Sequence, residues 1–192
     1  FFVIFLFIFI ILSHYINILT KYKEIFDTTK DLFDGSVSFM YLDDIIGTEI
    51  CGTIKNIIAI GSGVLYGMGY SNSAVATYIT KAINDIKSII MSLGGDSKTV
   101  LSYAGIGDII LTCTSNKSRN YSFGKMIGEK QEDKVINEYI SNNTIEGLYS
   151  LNGIYKFIKL KNIDSPLIEA IYNLVVNKNN EQFLNYIIND MM

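Results

Sequence analysis

The chain has 192 residues, of which 49% are apolar and only 18% are charged. Sixteen basic and 19 acidic side chains leave a formal net charge of −3 at neutral pH. This length allows one domain or slightly more, the apolar fraction excludes a disordered tail, and the mild negative charge without a basic block argues against a nucleic-acid-binding protein.

The sequence begins with an unbroken apolar run, residues 1–12, that is rich in Phe and Ile. A membrane-spanning helix needs about 20 such residues, and extending the run to Leu19 would bury Ser13, His14 and Asn17 at a cost. No basic residue precedes the run and no small-residue cleavage site follows it, which argues against a signal peptide. Its β-branched and aromatic content predicts a strand buried on both faces, with a membrane anchor as the alternative.

The next thirty residues show the helix, turn and strand signals that are typical of an α/β segment. Residues 17–33 place their apolar side chains near one helical face and predict a helix. Asp34-Gly35 is a turn signal, and residues 36–41 predict a short strand. The first forty residues therefore read as strand, helix, strand.

From Asp43 onward the periodicity is mostly helical, so the fold class is mainly α. The clearest helix starts near Ser73 and is stopped by Gly94-Gly95, and a later one opens with Pro166 at its first helical position. We predict helices over 44–68, 73–93, 97–103, 105–112, 144–160, 166–176 and 181–190, and a polar loop over 114–122.

Cysteine and histidine are too few for a metal site or a disulfide framework. Cys51 and Cys113 are 62 positions apart, and His14 is the single histidine. We predict two reduced, partly buried thiols in a cytosolic protein, and no metal.

The glycines of Gly61-Ser62-Gly63-Val64-Leu65-Tyr66-Gly67 suggest a dinucleotide-binding turn at first sight. That fingerprint needs two residues between its second and third glycines and a preceding strand, whereas three residues separate them here and the helical period runs back to Ile50. The spacing favours glycines that let two helices pack closely or bend.

Two other features carry possible chemistry. Lys55 lies in an apolar neighbourhood, so it either extends its ammonium outward or faces a cleft as a general acid or base. Residues 105–120 gather hydroxyls, amides, a Lys and Arg119, the single arginine of the sequence. Such donors suit a phosphate, because the guanidinium offers a planar fork that Lys lacks; a solvated polar loop is the alternative.

Taken in order, seven segments resemble the NAD(P)-dependent glycerol-3-phosphate dehydrogenases of bacterial type. They are DIIGTE at 44–49, CGTIKNIIAI at 51–60, GIGD at 105–108, TCTS at 112–115, SRN at 118–120, IEG at 145–147 and SPLIEAIY at 165–172. The resemblance runs over about 150 residues, and the GTIKN and SRN segments are its most specific parts.

The resemblance implies reversible reduction of dihydroxyacetone phosphate to sn-glycerol 3-phosphate with NAD or NADP as cofactor, a reaction that feeds phospholipid synthesis. Lys55 matches the family's general acid/base, Asp108 matches an active-site acid beside it, and Thr112 lines the same pocket. These three side chains would handle the C2 oxygen of the substrate.

The resemblance also implies a phosphate site and the edge of a cofactor site. Ser118, Arg119 and Asn120 match the family's substrate segment, with Arg119 and Asn120 reaching the phosphate. Arg119, Glu146 and, where the family more often has an aliphatic residue, Thr144 match positions near the cofactor.

The family's Gly-rich dinucleotide turn has no counterpart in this sequence. Residues 1–43 resemble only the last strand, helix and strand of the N-terminal NAD-binding domain, and residues 44–192 the all-helical substrate domain. We therefore expect the chain alone to be inactive, and the assembled enzyme to be cytoplasmic and off the membrane, with a homodimer as the candidate assembly. The alternatives are a non-enzymatic, membrane-attached helical remnant and, more remotely, the helical domain of another hydroxy-acid dehydrogenase.

Overall fold

The computed structural model describes residues 7–11, 15–33 and 37–188. Its N-terminal part is a small sheet with strand order β1-β2-β3, where β1 is Phe7–Ile11, β2 is Tyr15–Leu19 and β3 is Ser38–Leu42. Strand β1 runs antiparallel to β2, and β2 runs parallel to β3. Helix α1, Lys23–Asp31, connects the two parallel strands.

The sheet differs from the predicted strand, helix, strand in one respect, because the predicted helix 17–33 was wrong over its first residues. Residues 15–19 form β2, which pairs with a strand on each side, and the backbone N–H of Thr20 still donates to Leu42. Ile18 is fully buried with Phe26 of α1, so the pairing and this contact override the helical spacing. The predicted burial of the run 1–12 concerns side chains outside the described residues.

The rest of the described chain is mostly helical, as predicted, although its helices at 119–128 and 133–142 were not among those predicted. The helices are α2 (Ile45–Gly67), α3 (Asn72–Ser92), α4 (Asp108–Cys113), α5 (Arg119–Gly128), α6 (Asp133–Asn142), α7 (Glu146–Leu160), α8 (Pro166–Val175) and α9 (Glu181–Ile188). A 3₁₀ segment at Ser97–Leu101 and a π-helical turn at Tyr103–Gly107 precede α4.

Helix α2 is the centre of the molecule. Its residues 56–65 are all buried, and it contacts α3, α4, α5 and α7. Within the described residues, α2 is also the helix long and apolar enough to cross a membrane by length and composition, but 67% of its apolar window is buried inside the protein. Such burial is typical of a core helix.

Helices α2 and α5 approach each other through glycines. A Cβ atom on Gly63 would lie 2.0 Å from the carbonyl oxygen of Tyr121, and one on Gly124 would lie 1.9 Å from that of Ile60. Real Cβ atoms essentially never come this close to another heavy atom, so only glycine permits this backbone contact. The glycines at 61–67 therefore serve close packing, which was the favoured interpretation of their spacing.

Candidate active site

Lys55 and Asp108 form an ion pair on the inner face of α2. The Nζ of Lys55 contacts Oδ2 of Asp108, and the two side chains are only 18% and 10% exposed. Lys55 thus turns toward a cleft instead of extending its ammonium into solvent. A shielded pair of this kind interacts more strongly than a surface ion pair, because less water screens the charges.

The chain before α4 is shaped to deliver Asp108 to Lys55. The π-helical turn is held by Ser102, whose hydroxyl accepts from the N–H of Gly105 at 3.1 Å. A Cβ on Gly105 would lie 2.3 Å from the carbonyl oxygen of Val100, so glycine is required there. The predicted helix from Gly105 in fact begins as an α-helix only at Asp108, the first residue of α4.

Thr112 lies one turn further along α4. Its hydroxyl donates to the carbonyl oxygen of Asp108 at 2.7 Å and lies 3.5 Å from the carboxylate oxygen Oδ1. Thr112 is therefore in the same cluster as the ion pair.

A second cluster starts at Asn56, the residue after Lys55. Its Nδ2 donates to Oε2 of Glu146 at 2.9 Å, and its Oδ1 accepts from Nδ2 of Asn120 at 3.0 Å. The Oδ1 of Asn120 accepts in turn from the backbone N–H of Gly147 at 2.8 Å. Helices α2, α5 and α7 thus meet in one line of amide hydrogen bonds, which we call the amide relay.

The segment 114–122 is only partly the predicted loop, because α5 begins at Arg119. Ser118 is the N-cap, and its hydroxyl accepts from the N–H of Tyr121 at 3.3 Å. Such a cap satisfies one of the unpaired N–H groups that open a helix. The polar composition of this first turn suggests a loop, but Asn120 and Tyr121 are buried in the structure.

Arg119 and Glu146 complete the second cluster at its solvent side. The Nη2 of Arg119 lies 3.9 Å from Oε1 of Glu146, and these side chains are 50% and 58% exposed. Thr144 is exposed in the loop before α7, two residues from Glu146. Arg119 and Glu146 therefore lie close together and are open to solvent.

One member of the ion pair and two members of the amide relay reach a cleft of about 390 Å³. Lys55, Asn56 and Glu146 line it together with Leu19 of β2 and residues 48, 49, 52 and 53 of α2. The cleft thus lies between the small sheet and the helices. Among the described residues, no group of three His, Cys, Asp or Glu side chains could hold a metal ion.

Two free thiols are buried beside the ion pair. The pKa of Cys51 is raised to about 12, mainly by burial and further by the carboxylates of Asp44 and Asp108. The pKa of Cys113 is also raised to about 12, because burial outweighs the lowering effect of the nearby Ser62 hydroxyl. Thiolate chemistry is therefore suppressed at both positions.

Asn56 is the functional-site residue that sequence reasoning did not select. The sequence offered one signal, since Asn56 adjoins Lys55 inside the apolar run of α2, where a polar amide needs a partner. Its partners are 64 and 90 positions away along the chain, so the sequence alone could not identify them.

The chain matches a protein-family model described as the C-terminus of NAD-dependent glycerol-3-phosphate dehydrogenase over residues 44–184. It is 41% identical over 138 residues to a glycerol-3-phosphate dehydrogenase [NAD(P)+] of Staphylococcus haemolyticus, covering 71% of this chain and 41% of that protein. It is 41% identical over 134 residues to the one of Staphylococcus carnosus, covering 69% and 40%. The chain thus spans about two fifths of the length of these curated relatives.

Solved structures show the same architecture. A glycerol-3-phosphate dehydrogenase from Coxiella burnetii superposes with a TM-score of 0.81 and 28% identity, covering 94% of this chain and 55% of the other. The enzyme from Saccharomyces cerevisiae superposes with a TM-score of 0.79 at 22% identity, covering 92% and 55%. The second likeness bears on the fold alone.

Proposed function

Because this chain belongs to the family of NAD-dependent glycerol-3-phosphate dehydrogenases, we propose that its residues 44–192 act as the helical substrate domain of such an enzyme. Residues 1–43 then belong to the end of the dinucleotide-binding domain. The reaction is the reversible reduction of dihydroxyacetone phosphate to sn-glycerol 3-phosphate, and its product suits phospholipid synthesis.

The position of Lys55 and Asn56 on consecutive residues of α2 is the observation that carries this proposal. Lys55 forms an ion pair with the Asp108 carboxylate, and Asn56 accepts a hydrogen bond from Asn120. One turn of a buried helix therefore carries an amine that can move a proton and an amide that holds Asn120, whose side-chain N–H can bind an anion. A small phosphorylated ketone carries the matching partners, a carbonyl oxygen and a phosphate, a few bonds apart.

Lys55 is the proposed general acid in the direction of reduction. Its ammonium donates a proton to the C2 oxygen as the carbonyl becomes an alcohol, and it takes the proton back in the reverse direction. Asp108 holds the ammonium in place through the ion pair. Thr112 supports this carboxylate from the next turn of α4.

Arg119 and Asn120 are the proposed phosphate ligands. Arg119 is half-exposed and offers a planar fork of N–H groups, which matches the spacing of phosphate oxygens. Asn120 is buried and adds a neutral N–H donor with a fixed position. Ser118, at the start of the same helix, is a third candidate because its hydroxyl can also donate.

The nicotinamide cofactor of this family supplies hydride to C2 when it is bound. The exposed side chains of Arg119, Thr144 and Glu146 fit the rim of its site, as their charge and openness allow contact with a polar ligand. The sequence has no Gly-rich phosphate turn of its own, so the principal cofactor contacts belong to a dinucleotide-binding domain. A cytoplasmic location suits the two free thiols.

Binding of sn-glycerol 3-phosphate to the chain tests the phosphate site. We expect a millimolar Kd in an NMR titration of the ¹⁵N-labelled chain, with the largest shifts at Arg119, Asn120 and Gly147. Arg119→Lys should weaken binding about tenfold, because a point charge replaces a fork of donors.

Lys178→Ala is the matched control, since Lys178 pairs with Asp133 at a site where both side chains are about three-quarters exposed. This variant should bind like the unchanged chain. Equal shifts with glycerol alone, or shifts that centre on Lys178, would contradict the assignment.

A further inference from the structure

The amide relay has a direction that its two ends determine. At one end the backbone N–H of Gly147 can only donate, and it points to Oδ1 of Asn120. At the other end the Glu146 carboxylate can only accept, and it receives Nδ2 of Asn56. Every hydrogen bond between them therefore runs one way, from Gly147 through Asn120 and Asn56 to Glu146.

This direction matters for anion binding. Asn120 must present its oxygen to Gly147 and its nitrogen to Asn56, so neither amide can rotate without breaking two hydrogen bonds. One hydrogen on Nδ2 of Asn120 goes to Asn56, and within the described part of the chain no hydrogen bond uses the other. That second N–H could donate a hydrogen bond to an anion.

Close packing holds the relay in place. A Cβ on Gly147 would lie 2.5 Å from the carbonyl oxygen of Asn56 and 3.0 Å from Oδ1 of Asn120. The backbones of α2 and α7 therefore touch beside the relay. Asn56 and Asn120 are 9% and 6% exposed, so water competes poorly for their hydrogen bonds.

We propose that Asn56 is a positioning residue that couples the exposed Glu146 carboxylate to the Asn120 amide and so fixes the N–H that binds the substrate phosphate. This inference rests on the proposed function. It gives Glu146 a second role besides contact at the rim of the cofactor site. A group that binds Glu146 changes the hydrogen bond to Asn56 and, through it, the position of the Asn120 amide at the phosphate. Asn56 itself touches neither the phosphate nor the reacting atoms.

The decisive test reverses the chemistry of the relay without changing its shape. In Asn56→Asp, the new carboxylate still accepts from Asn120 but faces the carboxylate of Glu146, where Asn56 donated. We expect the Kd of the chain for sn-glycerol 3-phosphate to rise at least tenfold. In the double variant Asn56→Asp with Glu146→Gln, the Gln amide donates to Asp instead, and we expect the Kd to return within about threefold of the original.

Two further variants separate coupling from general damage. Asn152→Asp adds the same charge at an exposed position of α7 away from the relay, and it should leave the Kd unchanged. Glu146→Ala removes an exposed side chain, which should not impair folding, yet it should shift the Asn120 side-chain amide signals before any ligand is added.

The outcomes distinguish the two proposals. If the unchanged chain binds no sn-glycerol 3-phosphate, the proposed function fails and this inference fails with it. If the unchanged chain binds but Asn56→Asp binds equally well, or if the double variant is as weak as the single one, the positioning role is overturned and the proposed function stands. Unmoved Asn120 signals in Glu146→Ala would overturn the coupling directly.

Discussion

At the residue scale, the ion pair and the amide relay differ in how they tolerate water. Lys55 and Asp108 are shielded, whereas Arg119 and Glu146 at the far end of the relay are half-exposed. In the proposed reaction, proton transfer would benefit from the shielded pair, because its charges are less screened. Binding of the substrate phosphate would benefit from the exposed pair, because the ligand must reach the guanidinium first.

The two buried thiols give a prediction about pH. Their pKa values are about 12 in the folded chain against an ordinary 9.0, so above pH 9 the unfolded chain loses these protons first. The contribution of the two protonated thiols to the free energy of unfolding is therefore fully present below pH 9 and is lost as the pH rises toward 12. Between pH 8.5 and 10, each thiol should lower the free energy of unfolding by about 1 kcal/mol.

Urea denaturation of the chain and of Cys113→Ala across this pH range provides the check. The variant should be less stable at every pH, because it leaves a cavity, but its stability should fall less steeply above pH 9. Parallel curves for the two proteins would show that Cys113 does not contribute to the decline.

At the residue scale, most members of the candidate site had been selected from the sequence, but the hydrogen bonds that join them had not been predicted. Lys55 and Arg119 stood out because a lysine in an apolar run and a single arginine are unusual. Lys55, Asp108 and Thr112 do lie together, as do Arg119, Asn120 and Glu146. The hydroxyls of 114–122 proved less informative, since Ser115 and Ser118 accept from nearby backbone N–H groups.

At the element scale, the glycine contact between α2 and α5 sets the position of the site. Arg119 and Asn120 open α5, and Lys55 and Asn56 lie in α2, so the separation of these helices fixes the distance between the two pairs of residues. Contact between backbones leaves no flexible side chain to absorb a change. The glycine spacing therefore supports the site without taking part in its chemistry.

Two alanine substitutions in helices should have opposite effects on stability. Gly124→Ala places a Cβ 1.9 Å from the carbonyl oxygen of Ile60 and should lower the free energy of unfolding by about 3 kcal/mol through overpacking. Gly153→Ala lies in α7 with nothing within 4 Å and should raise it by up to about 1 kcal/mol through helix propensity. Thermal and urea denaturation of both variants provide the measurement.

A neutral Gly124→Ala would mean that α2 and α5 separate readily, and the geometry of the cleft would not be fixed by their contact. A destabilising Gly153→Ala would indicate that this exposed position has a packing role.

Sequence periodicity predicted the long helices well and the short elements poorly. The helices at 45–67 and 72–92 repeat apolar residues over many turns, which makes their signal strong. Strand β2 was missed because five residues with alternating Ile fit either period, and its pairing partners lie elsewhere in the chain. Helices α5 and α6 were missed altogether. The first turn of α5 is polar and its N-cap lies in a Ser-rich stretch, and α6 is short and has no buried residue, so it repeats its apolar positions over fewer turns than the long helices do.

At the scale of the whole molecule, the small sheet and the helices enclose the cleft together. Leu19 of β2 lines it beside Lys55, Asn56 and Glu146, although β2 precedes the region that the family model matches. The sheet therefore contributes one wall of the proposed active site. The contribution of Leu19 to the cleft was not predicted, because the helical spacing of residues 17–33 placed Leu19 in a helix.

The central claim is that Lys55 serves as the acid/base of a dihydroxyacetone phosphate reductase whose substrate domain is residues 44–192. The most direct measurement uses a chimera in which these residues follow the N-terminal part of the Staphylococcus haemolyticus relative. Oxidation of NADH with dihydroxyacetone phosphate is then followed for the chimera, for Lys55→Ala and for the control Lys178→Ala.

We predict that the chimera turns over, that Lys178→Ala leaves kcat unchanged, and that Lys55→Ala lowers kcat by roughly 10²- to 10⁴-fold, the range that a positioned acid/base contributes. Turnover by the Lys55→Ala chimera at the rate of the unchanged chimera would contradict the account.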